Sequence, residues 1–261
     1  MRLECDFIFD GIPSTEYNLK ILSLGDSDDS ETLVADKEIS KIIAPNDTRY
    51  RILDVFDKEV LTFKLQVFPT NDDFISFEKI QSITNWLFNK KDYKKLQILD
   101  IDISHLYFNC ILTNATKLMA AQNVIGIEFT VECDSNGAWE FNKTNTYDYS
   151  ATTGTHTFMF NNMSSSLNGL SPYLTITMYE DGNFSMTNLT TGQQITINSL
   201  NNTEVITMDC ANQIISSNLN SYLFDDFNGE FLYFQHGLNS MSVTGKCKIV
   251  MMYQNQVKVG S

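Results

Sequence analysis

The sequence has few positive charges. Its 261 residues include 18 Lys and Arg against 32 Asp and Glu, for a net charge of -14 at pH 7. Because nucleic-acid phosphates attract basic surfaces, this balance argues against nucleic-acid binding. The longest apolar runs are about five residues, as at 249–253, whereas a membrane-spanning helix needs about 20. Glu4, Asp6 and Asp10 interrupt the start of the chain, so we expect neither a signal peptide nor a membrane span.

Cysteine is scarce and widely spaced. The five cysteines are odd in number and form no CxxC pair; they are Cys5, Cys110, Cys133, Cys210 and Cys247. This pattern predicts neither a disulfide framework nor a metal knuckle. We interpret the cysteines as small core residues.

Two carboxylates offer the best candidate for acid–base or metal chemistry. Asp100 and Asp102 are two residues apart on a predicted strand, so they would share one face. Leu99 and Ile101 would then lie on the opposite face. The simpler interpretation is therefore that the two carboxylates point to solvent.

An acidic run near the N-terminus resembles a calcium loop but fails at key positions. It contains Asp26, Asp28, Asp29 and Glu31. Counting from Asp26, Glu31 stands where such a loop needs Gly, and the position for the bidentate Glu holds Lys37. We expect a solvated loop.

No other catalytic or cofactor pattern is present. His105, His156 and His236 are isolated in sequence, without metal-ligand spacing. There is no GxSxG elbow, phosphate-binding glycine loop or dinucleotide fingerprint. The sequence therefore predicts no enzyme, no metal and no cofactor.

Hydrophobic periodicity predicts a mainly β protein with one helix. In the first half, alternation at 3–9, 61–67 and 125–133 has the period of half-buried strands. The period changes between Asp72 and Lys91 to three or four residues, which predicts a helix capped by Asn71 or Asp72 and carrying Phe74 and Phe77 on its apolar face.

The second half has only strand periods. Turns at Asp181-Gly182 and Thr191-Gly192 separate short strands, Asn228-Gly229 separates two further runs, and 243–253 reads as one long strand. Composition shifts to Asn, Thr and Ser near residue 134. We therefore predict two domains, 1–134 and 135–261, the second a β-sandwich or jelly roll.

Several short motifs, taken in order, resemble one known family. They are Phe7-Ile8-Phe9-Asp10-Gly11, Tyr17-Asn18-Leu19, Trp86-Leu87, the segment 188–193 (NLTTGQ), Asp209-Cys210, Gly237-Leu238-Asn239 and Val243-Thr244-Gly245. Together the motifs resemble the distal tail proteins (Dit) of long-tailed bacteriophages, the siphoviruses. His236 stands where such proteins often have Pro.

The resemblance implies a fold and a role. The expected fold is an N-terminal β-sandwich or split barrel with a helix, followed by a C-terminal galectin-like β-sandwich. The expected role is a homohexameric ring at the distal end of the virion tail, assembled in the host cytoplasm. Its expected partners are the tail tube protein, the tail-tip or hub protein of the baseplate and the receptor-binding proteins. An acidic first domain suits a ring through which DNA must pass.

A carbohydrate-binding adhesin is the alternative function. Trp86 and Trp139 could stack on sugars, although packing is the simpler interpretation of Trp86. Sugar-binding galectins resemble one another in a polar set that includes Arg, and no Arg follows Asp134 here. The structural role is therefore favoured over the adhesin.

One segment of the first domain is the candidate ring interface. Residues 38–56 carry apolar residues on both sides of a Pro45-Asn46-Asp47 turn, which predicts a hairpin with apolar residues to spare. The candidate interface residues are Ile39, Ile42, Ile43, Tyr50, Arg51, Ile52, Val55 and Phe56. In the resembling family such a hairpin embraces the neighbouring subunit; an ordinary hairpin packed on its own core is the alternative.

Overall fold

The chain forms two compact units. The computed structural model describes residues 4–24, 37–43, 49–57, 60–71, 74–220 and 222–258. The first unit extends to Glu140 and resumes at Val257, and the second runs from Phe141 to Gln256. Ala138 is fully buried in the first core, so the residues just after position 134 pack with the first unit.

The described residues of the first unit form ten strands and the α-helix, and the last described strand of the chain, Gln256–Val257, pairs with its strand Ala138–Glu140. In chain order they are β1 (Phe7–Phe9), β2 (Ile12–Pro13), β3 (Leu19–Leu24), β4 (Lys37–Ile43), β5 (Tyr50–Asp57), β6 (Thr62–Pro69), α1 (Phe77–Leu87), β7 (Lys94–Ile98), β8 (Leu106–Ala120), β9 (Asn123–Cys133) and β10 (Ala138–Glu140). A short 3₁₀ helix, Ser14–Tyr17, lies between β2 and β3.

The main sheet of this unit closes on itself. Its strand order is β2-β1-β7-β8-β9-β6-β3, with β10 paired to β8. Cys5, just before β1, exchanges two backbone hydrogen bonds of 3.2 and 2.9 Å with Ile21 of β3. Because β1 and β3 lie near opposite ends of the strand order, this bridge joins the two ends into the predicted split barrel.

Helix α1 is confirmed, but it is shorter than the sequence predicts. It begins after Ser76, whose hydroxyl accepts a hydrogen bond from the Lys79 backbone at 3.3 Å. The predicted cap was therefore wrong: Asn71 lies in an earlier turn, and Asp72 lies outside the described residues. Phe74 and Phe77 are exposed rather than buried. No helix in the described part of the chain is long and apolar enough to cross a membrane.

Trp86 fixes α1 to the barrel. Its indole stacks on Phe7 and Tyr17, with ring centroids 5.6 and 4.4 Å away. Its Nε1 donates a hydrogen bond to the carbonyl oxygen of Phe9 at 3.1 Å. Lys90, just beyond the helix, pairs with Asp10 at 2.7 Å. The packing interpretation of Trp86 is confirmed.

The second unit is a two-sheet sandwich. Its strands are β11 (Lys143–Asp148), β12 (Thr155–Asn162), β13 (Tyr173–Met178), β14 (Gly182–Asn188), β15 (Gln194–Leu200), β16 (Val205–Asp209), β17 (Ile214–Ser217), β18 (Gly237–Thr244) and β19 (Cys247–Tyr253). One sheet has the order β11-β19-β13-β16-β17 and the other β12-β18-β14-β15. The final strand β20 (Gln256–Val257) pairs with β10. The predicted fold class, mainly β with one helix and a C-terminal sandwich, is confirmed.

Two strand predictions in the second unit were wrong. The predicted long strand 243–253 is β18 and β19, which belong to different sheets. The chain changes sheets at Gly245, whose φ of +126° suits glycine and whose side-chain position lies 3.1 Å from the Asn183 carbonyl oxygen. The runs flanking Asn228-Gly229 are loop, held by isolated bridges at Phe227 and Phe234.

Candidate assembly surfaces

Strands β4 and β5 form an exposed apolar ribbon. Among the described strands they pair only with each other, and no described residue of either strand belongs to the two cores. Ile42, Ile43 and Tyr50 are 48%, 45% and 67% exposed. An isolated two-stranded ribbon is marginally stable in water, so its apolar side chains need a partner surface.

The pairing register divides the ribbon into two faces. Ile43 lies opposite Tyr50, Lys41 opposite Ile52 and Ile39 opposite Val55. Opposed residues share a face, and a register irregularity between Ser40 and Lys41 leaves Leu53 without an opposed residue, which returns Val55 to the face of Ile52. These six residues therefore form one face, and it is mainly apolar. The pairs Ile42–Arg51 and Ser40–Asp54 lie on the other face, which is more polar.

The candidate interface residues therefore do not form one patch. Ile39, Ile43, Tyr50, Ile52 and Val55 lie on the apolar face, whereas Ile42 and Arg51 lie on the opposite one. The backbone of Phe56 pairs with Glu38, and its side chain lies outside the described residues, as does the predicted 45–47 turn.

A second exposed apolar surface lies in the loop between β17 and β18. Leu223 and Phe227 are buried in the second core, whereas Tyr222 and Phe224 on either side of Leu223 are exposed. The rings of Tyr222 and Phe224 meet edge to face at 5.8 Å. We call Tyr222, Phe224 and the exposed Leu219 the aromatic loop surface.

The residues next to the aromatic loop surface in the sequence include acids and no bases. Asp225 and Asp226 follow directly, and the sequence contains no Lys or Arg between Lys143 and Lys246. The sequence pattern did not reveal this surface. In this loop Leu223 and Phe227 are buried and Tyr222 and Phe224 are exposed, and such a mixture of buried and exposed apolar residues resembles the pattern of a strand. The one sequence feature that could have indicated an exposed loop here is the pair Asp225 and Asp226 beside the aromatic residues.

The carboxylates Asp100 and Asp102 do not form a site. They lie in a turn after β7, so the predicted strand placement was wrong. Asp100 Oδ1 accepts a hydrogen bond from the Asp102 backbone at 3.1 Å, which makes it a turn-forming residue. Ile101 is 91% exposed and Leu99 is also exposed, so neither packs beneath them.

The three histidines lie apart in structural settings. His236 donates from Nδ1 to the Ser164 carbonyl oxygen at 2.8 Å, and His156 stacks on Tyr149 at 4.3 Å between centroids. His105 is exposed in the turn before β8. Among the described residues, no three His, Cys, Asp or Glu side chains gather as metal ligands do. The acidic run 26–31 lies outside those residues.

A polar depression in the second unit has a lining that could suit a sugar. It lies between the 191–194 turn and residues 228–233. Gln193 there donates to the Phe231 carbonyl oxygen at 2.6 Å and accepts from the Tyr233 backbone at 3.0 Å. Asn228 donates to the Gln194 carbonyl oxygen at 2.8 Å. The side-chain amides of Gln193 and Asn228 therefore already make hydrogen bonds to the backbone of this chain.

Two protein-family models match most of the chain. Residues 4–135 match the family described as phage tail protein N-terminal domain, and residues 139–253 match the phage tail C-terminal domain. The chain therefore belongs to this family of phage tail proteins, and it is a tail component of the virion. No curated protein sequence matches it.

Solved structures identify the fold more closely. The Dit protein (gp 19.1) of phage SPP1, described as a paradigm of the hub adsorption apparatus in phages that infect Gram-positive bacteria, matches with a TM-score of 0.68. The match covers 95% of this chain and 98% of that one at 11% identity. A chain of the phage P2 baseplate in its activated conformation with Ca matches at 0.51, with 8% identity and coverage of 98% and 99%. The chain has the Dit fold.

Proposed function

We propose that this protein is the structural hub at the distal end of a siphovirus tail, where it forms a homohexameric ring. In this role it joins the tail tube protein to the tail-tip protein of the baseplate and to the receptor-binding proteins. Family membership and the Dit fold support the assignment. The observation that carries the ring itself is the apolar β4–β5 ribbon, whose two strands pair with no other described strand and contribute no described residue to either core.

The ribbon provides what a cyclic ring requires. Each subunit in a ring contacts the next through two different patches, because the contact is head to tail. A stable interface buries about 1,600 Å² in total, and a ribbon reaching across a neighbour adds area that a compact face lacks. The face with Ile39, Ile43 and Ile52 is the side that meets the neighbouring subunit.

The two predicted domains, 1–134 and 135–261, have different roles in this assembly. The first makes the ring through the ribbon. The second is a galectin-like sandwich on the outside of the ring, where the aromatic loop surface contacts other tail proteins. Neither domain is catalytic, and assembly takes place in the host cytoplasm. The scattered carboxylates and histidines support this non-enzymatic role.

Two neighbouring residues allow a matched test of the ring. Ile42 and Ile43 are almost equally exposed and lie on opposite faces of the ribbon. Mass photometry and negative-stain imaging of the full chain should show a six-subunit ring for the wild type. Ile43→Asp should shift it to monomers, and Ile42→Asp should weaken it less. A wild type that stays monomeric at micromolar concentration would contradict the ring; equal effects of the two variants would contradict the choice of face.

The adhesin alternative has its own test. A glycan array probed with the full chain should give no specific signal, because the amides of the depression near Gln193 are already hydrogen-bonded. Sugar binding that Gln193→Ala abolishes, with wild-type stability retained, would favour the adhesin instead.

A further inference from the structure

Two cysteines of the first unit face each other across neighbouring strands. Cys110 of β8 lies directly opposite Cys133 of β9 in the antiparallel register. Both side chains are fully buried and belong to the same core. Residues opposed in this way project from the same face of the sheet, so the two thiols are neighbours.

The backbone hydrogen bonds define the type of pair. The N–H of Cys133 donates to the Leu61 carbonyl oxygen at 2.9 Å, on the side away from Cys110. The next N–H, that of Asp134, donates across to Asn109 at 2.9 Å. Cys110 and Cys133 are therefore a non-hydrogen-bonded pair, the kind whose Cα atoms approach to about 4.5 Å.

That spacing suits a disulfide. Disulfide-bonded residues have Cα atoms about 4.4 to 6.8 Å apart and Cβ atoms about 3.5 to 4.5 Å apart. Opposed side chains in a non-hydrogen-bonded pair have Cβ atoms near 4.5 Å, so closing the bond needs only a small adjustment.

The other cysteines lack such a partner. Cys5 lies opposite Ile21, and Cys247 lies opposite Met178. Cys210 follows β16 and donates its N–H to the Pro172 carbonyl oxygen at 3.2 Å. Oxidation of the folded protein should therefore give one disulfide, Cys110–Cys133, whereas random oxidation would give a mixture of cysteine pairs.

We propose that Cys110 and Cys133 are an oxidation site at which a cross-strand disulfide forms when the protein meets a peroxide. One thiolate attacks a peroxide oxygen, which breaks the O–O bond and gives a sulfenic acid and hydroxide. The second thiol attacks the sulfenic sulfur, forms the S–S bond and releases water. In sum, two thiols are oxidised, one hydrogen peroxide is reduced, and two waters leave. A reducing cytosol keeps the pair as thiols, so the bond belongs to the protein after release from the cell.

Burial makes this reaction slow at neutral pH. It raises the pKa of Cys133 to about 12 and raises that of Cys110 too, with the neighbouring thiol adding to the latter shift. Because only the thiolate attacks peroxide, the rate should rise with pH between 7 and 9.

Peptide mapping of the full chain tests the proposal. Protein incubated with hydrogen peroxide is unfolded in alkylating reagent and digested without reductant. The expected product is a peptide pair joined through Cys110 and Cys133, with Cys5, Cys210 and Cys247 alkylated. Cys133→Ala should abolish the cross-link, whereas Cys5→Ala should preserve it. Alkylation of both Cys110 and Cys133 after complete peroxide treatment would overturn the proposal, as would a random mixture of cross-links.

Thermal unfolding gives a second measurement that needs no variant. The disulfide restricts the unfolded chain, so the oxidised first unit should unfold about 5 to 10 °C higher than the reduced one. Dithiothreitol should reverse the shift. A cross-linked protein with an unchanged or lower Tm would show that the bond strains the sheet, contrary to the fit inferred from the register.

Discussion

The side-chain amide of Asn188 donates a hydrogen bond to Asn239 Oδ1 at 3.1 Å, and both residues are fully buried. Asn188 also accepts from the Thr190 backbone at 3.0 Å. Asn239 donates to the carbonyl oxygens of Gln235 and Gly237 at 2.8 and 2.9 Å. Two of the motifs that resemble Dit therefore meet in one buried network that shapes the turns of the sandwich.

Replacing Asn239 with Ala should destabilise the second unit by about 2 to 4 kcal/mol. The substitution removes three hydrogen bonds, two to the Gln235 and Gly237 carbonyl oxygens and one from the Asn188 amide, whose other bond to the Tyr233 carbonyl oxygen is long at 3.4 Å. Each lost hydrogen bond contributes about 0.5 to 1.5 kcal/mol. Urea unfolding followed by circular dichroism measures the change. Asn161→Ala, at an exposed position of β12, is the control and should change stability by less than about 0.5 kcal/mol. An equally small effect of Asn239→Ala would contradict the role of the network.

This network explains why the resemblance predicted the fold better than any site. In the segment from Asn188 to Gln193, the Asn188 and Thr191 side chains accept hydrogen bonds from the backbone two residues further on, so this turn is encoded locally in the sequence. The split of 243–253 into two strands was not predictable, since Val243, Cys247 and Ile249 all enter the same core from different sheets. Periodicity reports burial and says nothing of which sheet a strand joins.

The ribbon was predictable as a hairpin, but its faces were not. The apolar residues around positions 39 to 55 could be read from the sequence. A register irregularity between Ser40 and Lys41 sets which residues are opposed, and it separates Ile42 from Tyr50. The register depends on how the two strands pair in the folded protein, so the spacing of residues in the sequence could not reveal this irregularity.

Stability of the second unit should fall in acid through Glu204. This carboxylate is buried. Burial by itself would raise the pKa of Glu204, but hydrogen bonds from the Ser217 hydroxyl and from the Asn201 backbone and side-chain amides outweigh it and lower the pKa. Since the folded pKa lies below the unfolded value of about 4.3, the stabilisation is present above that pH and is lost as pH falls through the folded pKa.

Glu204→Gln isolates this contribution. The variant should be about 1 to 3 kcal/mol less stable than the wild type at pH 6, because a charge-assisted acceptor is lost, and the gap should narrow as the pH approaches 3. Urea unfolding at pH 6, 5, 4 and 3 measures it. The exposed Glu230→Gln is the matched control and should follow the wild type. A gap that stays constant with pH would show that the carboxylate charge contributes nothing.

Gly169 and Gly192 form a matched pair for backbone packing. Their φ angles are +75° and +78°, so a Cβ strains both to a similar extent. At Gly169 a Cβ would also lie 2.6 Å from the Phe234 carbonyl oxygen, whereas at Gly192 it meets nothing within 4 Å. Gly192→Ala should cost about 1 kcal/mol, and Gly169→Ala at least 2 kcal/mol more. Similar unfolding midpoints for the two variants would contradict the close approach.

The independence of the two compact units can be tested with the tryptophans, because Trp86 and Trp139 both lie in the first unit, which extends to Glu140. Tryptophan fluorescence then follows the unfolding of that unit alone, while far-ultraviolet circular dichroism follows both. If the units are independent domains, Gly169→Ala should shift only the transition that fluorescence does not detect. A fragment spanning 141–256 should show the same transition by itself, since it contains the whole second core. A fluorescence midpoint that moves equally with Gly169→Ala would mean that the chain unfolds as one cooperative unit, and the division into two domains would be wrong.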